Sequence, residues 1–152
     1  ITHAFDNNGA KYDESGNAAD WWTPEDYNTF NDLCADMIAF YDGYEGIPGI
    51  PMNGTLTLSE NIADQGAVQC ITEIESRRES PDFKTLYTSF AKCMAATTTR
   101  TYAQYAATFD YHSDAKLRVN RCVVNCPEFY EAFSITENDG MWVAPENRVR
   151  VW

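Results

Sequence analysis

Apolar residues recur at intervals of three and four along much of this chain, which is the spacing of one face of an α-helix. The clearest run contains Phe30, Leu33 and Met37. It follows Thr23 and Pro24, two residue types that are favoured at the N-cap and the first position of a helix. The pattern predicts a helix within DWWTPEDYNTFNDLCADMIAFYDGY and a mainly α-helical chain.

The same spacing predicts further helices along the chain. They lie in TLSENIADQGAVQCITEIESRRES (closed by Ser80 and Pro81), PDFKTLYTSFAKCMAATTT, TRTYAQYAATF and, over a shorter length, CPEFYEAFSI. Strand signals are few, and the best short candidates are TLTL and RCVVN, whereas EGIPGIPMNG breaks the helical pattern. Hydrophobic residues make up 44% of the chain, enough to bury a sizeable core. No segment is long enough to act as a linker, so we predict one compact unit.

The net charge of −12 argues against two classes of partner. An acidic surface repels nucleic-acid phosphates and anionic membrane surfaces, so neither nucleic acid nor membrane contact is expected from this segment. The five cysteines are odd in number and form no C-x-x-C pair, which favours free thiols in a reducing compartment. Cys122 and Cys126 are four apart, so they could share one helical face.

Two groups of polar residues could carry chemistry. Glu60 and Asp64 are four apart and would lie on one face of the second helix. Such carboxylates repel each other unless a cation or a histidine is near, and the alternative is a solvated helix face. His112 is flanked by Asp110 and Arg118, a set that could orient an imidazole and bind a carbonyl, or could equally form a weak surface ion pair.

His3 stands at the very start of the chain. It would complete the zinc-binding motif H-E-x-x-H if a His and a Glu preceded Ile1, with Ile1 and Thr2 in the two variable places. The sequence is compatible with this motif and does not contain all of it. Otherwise His3 is an ordinary surface or core histidine.

Five segments, in this order, resemble the neprilysin and endothelin-converting-enzyme family of zinc endopeptidases, which includes bacterial oligopeptidases. They are ITHAFDNNG, DWWT, NGTLTLSENIADQGA, DYHSDAKLR, and EFYEAF with the terminal RVRVW. The resemblance covers nearly the whole chain. It implies the mainly α, helical C-terminal part of a thermolysin-like (gluzincin) zinc peptidase catalytic domain, with few short strands. Residues 1–152 would form that part and begin inside the H-E-x-x-H helix.

The resemblance also implies a zinc site. His3 and Glu60 would be two protein ligands of one Zn²⁺ ion. Asp64 would orient a zinc-ligating His through its free ring N–H, and Asp6 would do the same from the other side. The first zinc-binding His and the general-base Glu would immediately precede Ile1, in the missing N-terminal part of the same protein. The chain by itself is therefore expected to be inactive.

The remaining family roles concern the transition state and the substrate. His112, supported by Asp110, would donate a hydrogen bond to the developing oxyanion, and Arg118 would bind a backbone carbonyl of the peptide. The sequence departs from the family pattern at Asp114, where proline is usual, and at Leu117, where phenylalanine is usual. These two departures leave the local geometry around His112 open.

The predicted function is that of a zinc-dependent endopeptidase that hydrolyses oligopeptides with a metal-activated water, as part of a longer parent. The alternative is a non-catalytic or degenerate helical fragment that only binds peptides. Positions at which vertebrate family members carry disulfide cysteines hold Asp36, Ala95 and Val149. This favours a protein of the bacterial cytoplasm, with a secreted or surface-anchored parent as the alternative.

Overall fold

A computed structural model describes residues 1–151. In that range the chain forms six α-helices, three 3₁₀ helices and one short hairpin. The α-helices are α1 (Pro24–Tyr41), α2 (Leu58–Ser76), α3 (Phe83–Met94), α4 (Arg100–Phe109), α5 (Ala115–Val123) and α6 (Pro127–Phe133). The hairpin strands are β1 (Glu45–Ile47) and β2 (Ile50–Pro51), and the 3₁₀ helices are Thr2–Phe5, Gly9–Lys11 and Pro145–Asn147. The mainly α prediction is confirmed.

Helix starts follow the capping residues of the sequence. Thr23 accepts a hydrogen bond from the backbone N–H of Asp26 at 3.1 Å, and Pro24 is the first residue of α1, as predicted. Asp82 caps α3 and Thr99 caps α4 in the same manner. The second predicted helix is present as α2 but ends at Ser76, short of the predicted stop at Ser80 and Pro81.

Both strand predictions were wrong. TLTL forms a turn that leads into α2, and RCVVN forms the end of α5 and the turn after it. RCVVN lies at the end of a helix and not in a strand because Asp114 caps the start of α5 and Leu117 and Cys122 are buried against neighbouring helices. The strands lie instead in EGIPGIPMNG, where Gly49 takes a left-handed φ of 73° and lets the chain reverse.

The cysteines do not share a helical face as the spacing suggested. Cys122 lies within α5, whereas Cys126 precedes α6 as its N-cap residue. All five cysteines of the chain are free thiols, as predicted. Burial raises the pKa of Cys34 to about 11, so this side chain stays a thiol and is a poor nucleophile.

Helix α2 runs between two hydrophobic clusters and is the centre of the fold. Ile62 packs in one cluster with residues of α1, and Val68 packs in the other with residues of α3, α5 and α6. Because both sides of α2 are covered, its polar residues Asn61 and Gln65 are also buried. Every helix within residues 1–151 is too short or too polar to cross a bilayer.

Candidate active site

Helix α2 brings Glu60 and Asp64 to one partly covered face, as their spacing predicted. The side chains are only 17% and 12% exposed, respectively. A freely solvated helix face would leave both carboxylates open to water, and this one does not. Each carboxylate instead faces a cationic or imidazole partner from another part of the chain.

His3 approaches Glu60 from the 3₁₀ helix Thr2–Phe5, which packs against α2. Its Nε2 lies 3.4 Å from Glu60 Oε2, while its Nδ1–H donates to Asp6 Oδ2 at 2.8 Å. The hydrogen bond that His3 donates to Asp6 raises the pKa of His3, with a smaller contribution from the charge of Glu60. Because Nδ1 carries the proton, the lone pair of Nε2 points toward Glu60 in the neutral ring.

Asp6 is a fixed support for His3. Its carboxylate is buried, and its Oδ1 accepts the backbone N–H groups of Asn8 at 2.7 Å and Gly9 at 2.8 Å. Gly9 is needed there, since a Cβ at this position would lie 2.1 Å from the carbonyl oxygen of His3. The family resemblance implies that Asp6 orients a zinc-binding histidine. In the structure, the histidine that its carboxylate contacts is His3.

His112 reaches the same carboxylate from the loop between α4 and α5. Its Nε2 lies 3.0 Å from Glu60 Oε2, and its Nδ1 lies 2.9 Å from Asp110 Oδ1. That Asp110 oxygen also accepts the backbone N–H of His112 at 2.9 Å. These hydrogen bonds, from the backbone first and the ring second, lower the pKa of Asp110. Glu60 is therefore the meeting point of both histidines.

Arg118 on α5 donates two hydrogen bonds to the carboxylate of Asp64. Its Nε donates to Oδ2 at 2.6 Å and one terminal NH₂ donates to Oδ1 at 2.8 Å. These two hydrogen bonds to Asp64 raise the pKa of Arg118. They engage Nε and one terminal NH₂ group, so the other terminal NH₂ group is not bonded to Asp64. Asp64 still has acceptor capacity, because a carboxylate offers about four lone-pair positions.

His3 and Glu60 fit two places of a zinc site. Two ligands of one tetrahedral zinc, each about 2.0–2.2 Å from the metal, lie about 3.3–3.6 Å apart. The separation of His3 Nε2 and Glu60 Oε2 is 3.4 Å, and imidazole and carboxylate are ordinary zinc ligands. No group of three or more His, Cys, Asp or Glu side chains is arranged to hold a metal among residues 1–151.

Both departures from the family pattern have a structural role. Asp114 caps α5, with its Oδ1 accepting the backbone N–H groups of Lys116 at 3.0 Å and Leu117 at 3.1 Å. Leu117 is buried in the cluster that also holds Ile62. The helix that carries Arg118 therefore starts directly after the loop of His112. The closing residue of the terminal motif, Trp152, lies outside the described residues.

Sequence reasoning missed two residues beside the site. Ser113 and Asn61 are both buried and are joined by a hydrogen bond of 2.8 Å, one residue along from His112 and Glu60. The sequence does contain a signal for them. Asn61, Gln65 and Val68 are separated by four and three residues, so they lie on one face of α2, and that face is buried. Polar residues on such a face need buried hydrogen-bond partners.

A model of peptidase family M13 matches residues 1–149. The chain belongs to peptidase family M13. It is 41% identical over 152 residues to the neutral endopeptidase of Lactococcus lactis subsp. cremoris, covering 100% of this chain and 24% of that protein. It is 30% identical to mouse (Mus musculus) neprilysin, again over 100% of this chain and 22% of the relative.

Solved structures agree with this family. PEPO from Lactobacillus rhamnosis HN001 superposes with a TM-score of 0.89 at 39% identity, over 98% of this chain and 24% of that one. The zinc metalloprotease Zmp1 of Mycobacterium tuberculosis, in complex with an inhibitor, superposes with a TM-score of 0.88 at 31% identity, over 99% and 25%. The chain thus spans about a quarter of the length of the relatives it matches. The helical peptidase fold expected from the resemblance is confirmed.

Proposed function

We propose that the protein carrying this chain is a zinc-dependent endopeptidase that hydrolyses peptide bonds in oligopeptides. The observation that carries the proposal is the convergence of His3 and His112 on Glu60, with His3 Nε2 at a two-ligand zinc spacing of 3.4 Å. Membership of family M13 supports it, as do relatives named neutral endopeptidase and zinc metalloprotease.

His3 Nε2 and Glu60 Oε2 would hold the zinc, and Asp6 would keep the proton of His3 on Nδ1. When bound, zinc supplies Lewis-acid activation of a water molecule and polarises the scissile carbonyl. The further zinc-binding His and the general-base Glu would come from residues outside this chain. Residues 1–152 would then form one part of a larger catalytic domain, and Asp64 would orient a zinc-binding His.

His112 would act on the substrate oxygen. Its Nε2 faces the proposed zinc ligand Glu60, so a substrate carbonyl beside the metal would lie within its reach. A protonated His112 donates from Nε2 to the oxygen on which negative charge develops, while its Nδ1–H stays on Asp110. Donors fixed before the reaction need no reorganisation as the charge develops, and this is the source of their effect.

Arg118 would bind a backbone carbonyl of the peptide through the terminal NH₂ group that Asp64 does not engage. The two hydrogen bonds that Arg118 donates to Asp64 fix the plane of the guanidinium, so the remaining NH₂ group donates in a fixed direction. The substrate would then be held at its carbonyl by Arg118 and at its reacting oxygen by His112.

A bacterial protein that works where thiols stay reduced is part of the same proposal. Its support is the set of Lactococcus lactis relatives, at 41% to 42% identity, together with five free cysteines. Labelling of thiols in freshly lysed cells tests this compartment. Free cysteines before any reductant is added would agree with it, and intermolecular disulfides would contradict it.

The test of the enzyme is Glu60→Ala in the full-length protein, with zinc content and peptide cleavage measured together. Glu73→Ala is the matched control, because Glu73 lies on the same helix and forms only an exposed pair with Arg77. We expect Glu60→Ala to lose zinc and cleavage and Glu73→Ala to keep both. Stoichiometric zinc and full activity in Glu60→Ala would refute the proposal. A wild-type protein that binds peptides without cleaving them would favour the non-catalytic alternative.

A further inference from the structure

Ser113 directly follows His112 and is anchored to the helix that carries Glu60. Its hydroxyl donates to Asn61 Oδ1 at 2.8 Å, and both side chains are buried. A hydrogen bond shielded from water is costly to break, because the partner left behind is desolvated and unpaired. The bond therefore joins the loop of His112 to α2 at one defined point.

The direction of this hydrogen bond follows from the groups behind it. Thr57 Oγ1 donates to the carbonyl of Asn53 at 3.0 Å, so its oxygen is available to accept from Asn61 Nδ2 at 2.9 Å. The amide nitrogen of Asn61 thus faces Thr57, and its oxygen must face Ser113. In the series Ser113, Asn61, Thr57 and Asn53, each group donates a hydrogen bond to the next one. No other orientation of the Asn61 amide satisfies all three of these hydrogen bonds.

The buried pair of Ser113 and Asn61 lies beside the pair formed by His112 and the proposed zinc ligand Glu60. Glu60 precedes Asn61 and His112 precedes Ser113, and the two bonds between the segments are 3.0 Å for Glu60 to His112 and 2.8 Å for Asn61 to Ser113. One pair is partly exposed and the other is buried. The buried bond therefore lies one residue from the partly exposed one on both segments.

We propose that Ser113 and Asn61 are positioning residues for His112: their buried hydrogen bond holds the imidazole at the distance from Glu60 that catalysis needs. The inference rests on the proposed function and adds two residues to it. Asp110 also contacts His112, but it lies in the same loop and cannot fix that loop relative to α2. Among the hydrogen bonds of residues 1–151, only the Ser113–Asn61 bond joins this loop to α2 through buried side chains.

The experiment compares Ser113→Ala with Tyr87→Phe in the full-length protein. Tyr87 OH forms a buried hydrogen bond of 3.0 Å with Thr72, which lies on α2 outside the candidate site, so each variant removes one buried hydroxyl that bonds to a residue of α2. We expect both to lower the melting temperature. Ser113→Ala alone should lower kcat by about 10- to 100-fold at unchanged zinc content and nearly unchanged KM.

A double-mutant cycle separates positioning from general loosening. In a His112→Gln background, Ser113→Ala should reduce kcat no further, because the residue it positions is already gone. An undiminished loss in that background would overturn the inference, as would a kcat for Ser113→Ala equal to that of Tyr87→Phe. If Ser113→Ala does not fold, Ser113→Cys replaces it, since a thiol has similar size and donates weakly.

Crystal structures of the wild type and Ser113→Ala decide the inference independently of activity. We expect the separation of His112 Nε2 and Glu60 Oε2 to widen, or the imidazole to become disordered, in the variant only. An unchanged, ordered His112 would overturn the positioning role. An inactive wild-type protein would instead refute the proposed function, and the structures would still show whether Ser113 holds His112.

Discussion

His3 and His112 both contact the carboxylate of Glu60, but the carboxylates that bond to their other ring nitrogens differ in burial. His3 is 55% exposed, yet its partner Asp6 has a carboxylate only 4% exposed that is locked by two backbone N–H groups. His112 is 46% exposed, and its partner Asp110 is 36% exposed and lies in the same loop. The ring of His3 is therefore held by a buried carboxylate, whereas the ring of His112 contacts a partly exposed one and its loop is joined to α2 through Ser113.

This difference matches the tasks proposed for the two residues. A metal ligand needs one fixed tautomer and one fixed lone-pair direction, which a buried carboxylate supplies. A group that donates to a changing substrate oxygen needs a fixed position, while its proton must remain exchangeable with solvent. Variants of His3 and its partner Asp6 should therefore affect metal binding, and variants of His112 and its partner Asp110 should affect transition-state stabilisation.

The largest effect is expected for His3→Gln in the full-length protein. Removing the proposed zinc ligand should abolish stoichiometric zinc and lower peptide cleavage by more than about 1000-fold, since every function of the metal is lost with it. Metal analysis and a cleavage assay on the same preparation measure both. Retained zinc together with retained cleavage would show that His3 is not a ligand.

The next effect is expected for His112→Gln, which also serves as the matched control for His3→Gln. Loss of one oxyanion donor should lower kcat by about 10²- to 10³-fold. Zinc content should stay at the wild-type level, because this ring faces the proposed ligand Glu60 and is itself assigned to the substrate oxygen. Zinc loss equal to that of His3→Gln would erase the distinction between the two sides.

A smaller effect is expected for Asp6→Asn. Without the carboxylate, His3 loses its fixed tautomer, and zinc affinity should fall by about 10- to 100-fold. Competition with a chelator measures this affinity. Asp13→Asn is the control, because Asp13 also accepts backbone N–H groups in the same region but is exposed and bonded to Ser15 and Asn17. Equal affinities in the two variants would contradict the role of Asp6.

The smallest effect is expected for Asp110→Asn. Since its carboxylate is partly exposed, kcat should fall by less than the ~10-fold lower limit typical of buried orienting partners. The folded pKa of Asp110 is lowered, so its ionised form stabilises the fold above the unfolded pKa, and this contribution disappears as pH falls through the folded pKa.

Acid titrations followed by circular dichroism test that sign. Wild-type protein should lose more stability below pH ~4 than Asp110→Asn, which has no carboxyl group to protonate at this site. Asp82→Asn is the matched control, because Asp82 has a lowered pKa but caps α3 outside the candidate site, so it should change acid stability without changing kcat. Greater acid sensitivity in Asp110→Asn than in wild type would contradict the assignment.

Most helices of the fold were predictable because their signals are local. Thr23 and Pro24 mark the start of α1, and the spacing of Phe30 and Met37 marks its buried face. The prediction failed for α5, where RCVVN has the composition of a strand. Burial of Leu117 and Cys122 against other helices outweighed that weak preference, and such burial cannot be seen in a five-residue window.

The sequence alone determined which residue types were available and which of them shared a helix face, because helical geometry depends on spacing along the chain. It placed Glu60 beside Asp64 and His112 beside Asp110. Only the tertiary structure decided that both histidines meet at Glu60, that Asp64 pairs with Arg118, and that Ser113 bonds to Asn61. Those contacts join residues far apart in sequence, so they depend on how α2 packs between its two hydrophobic clusters.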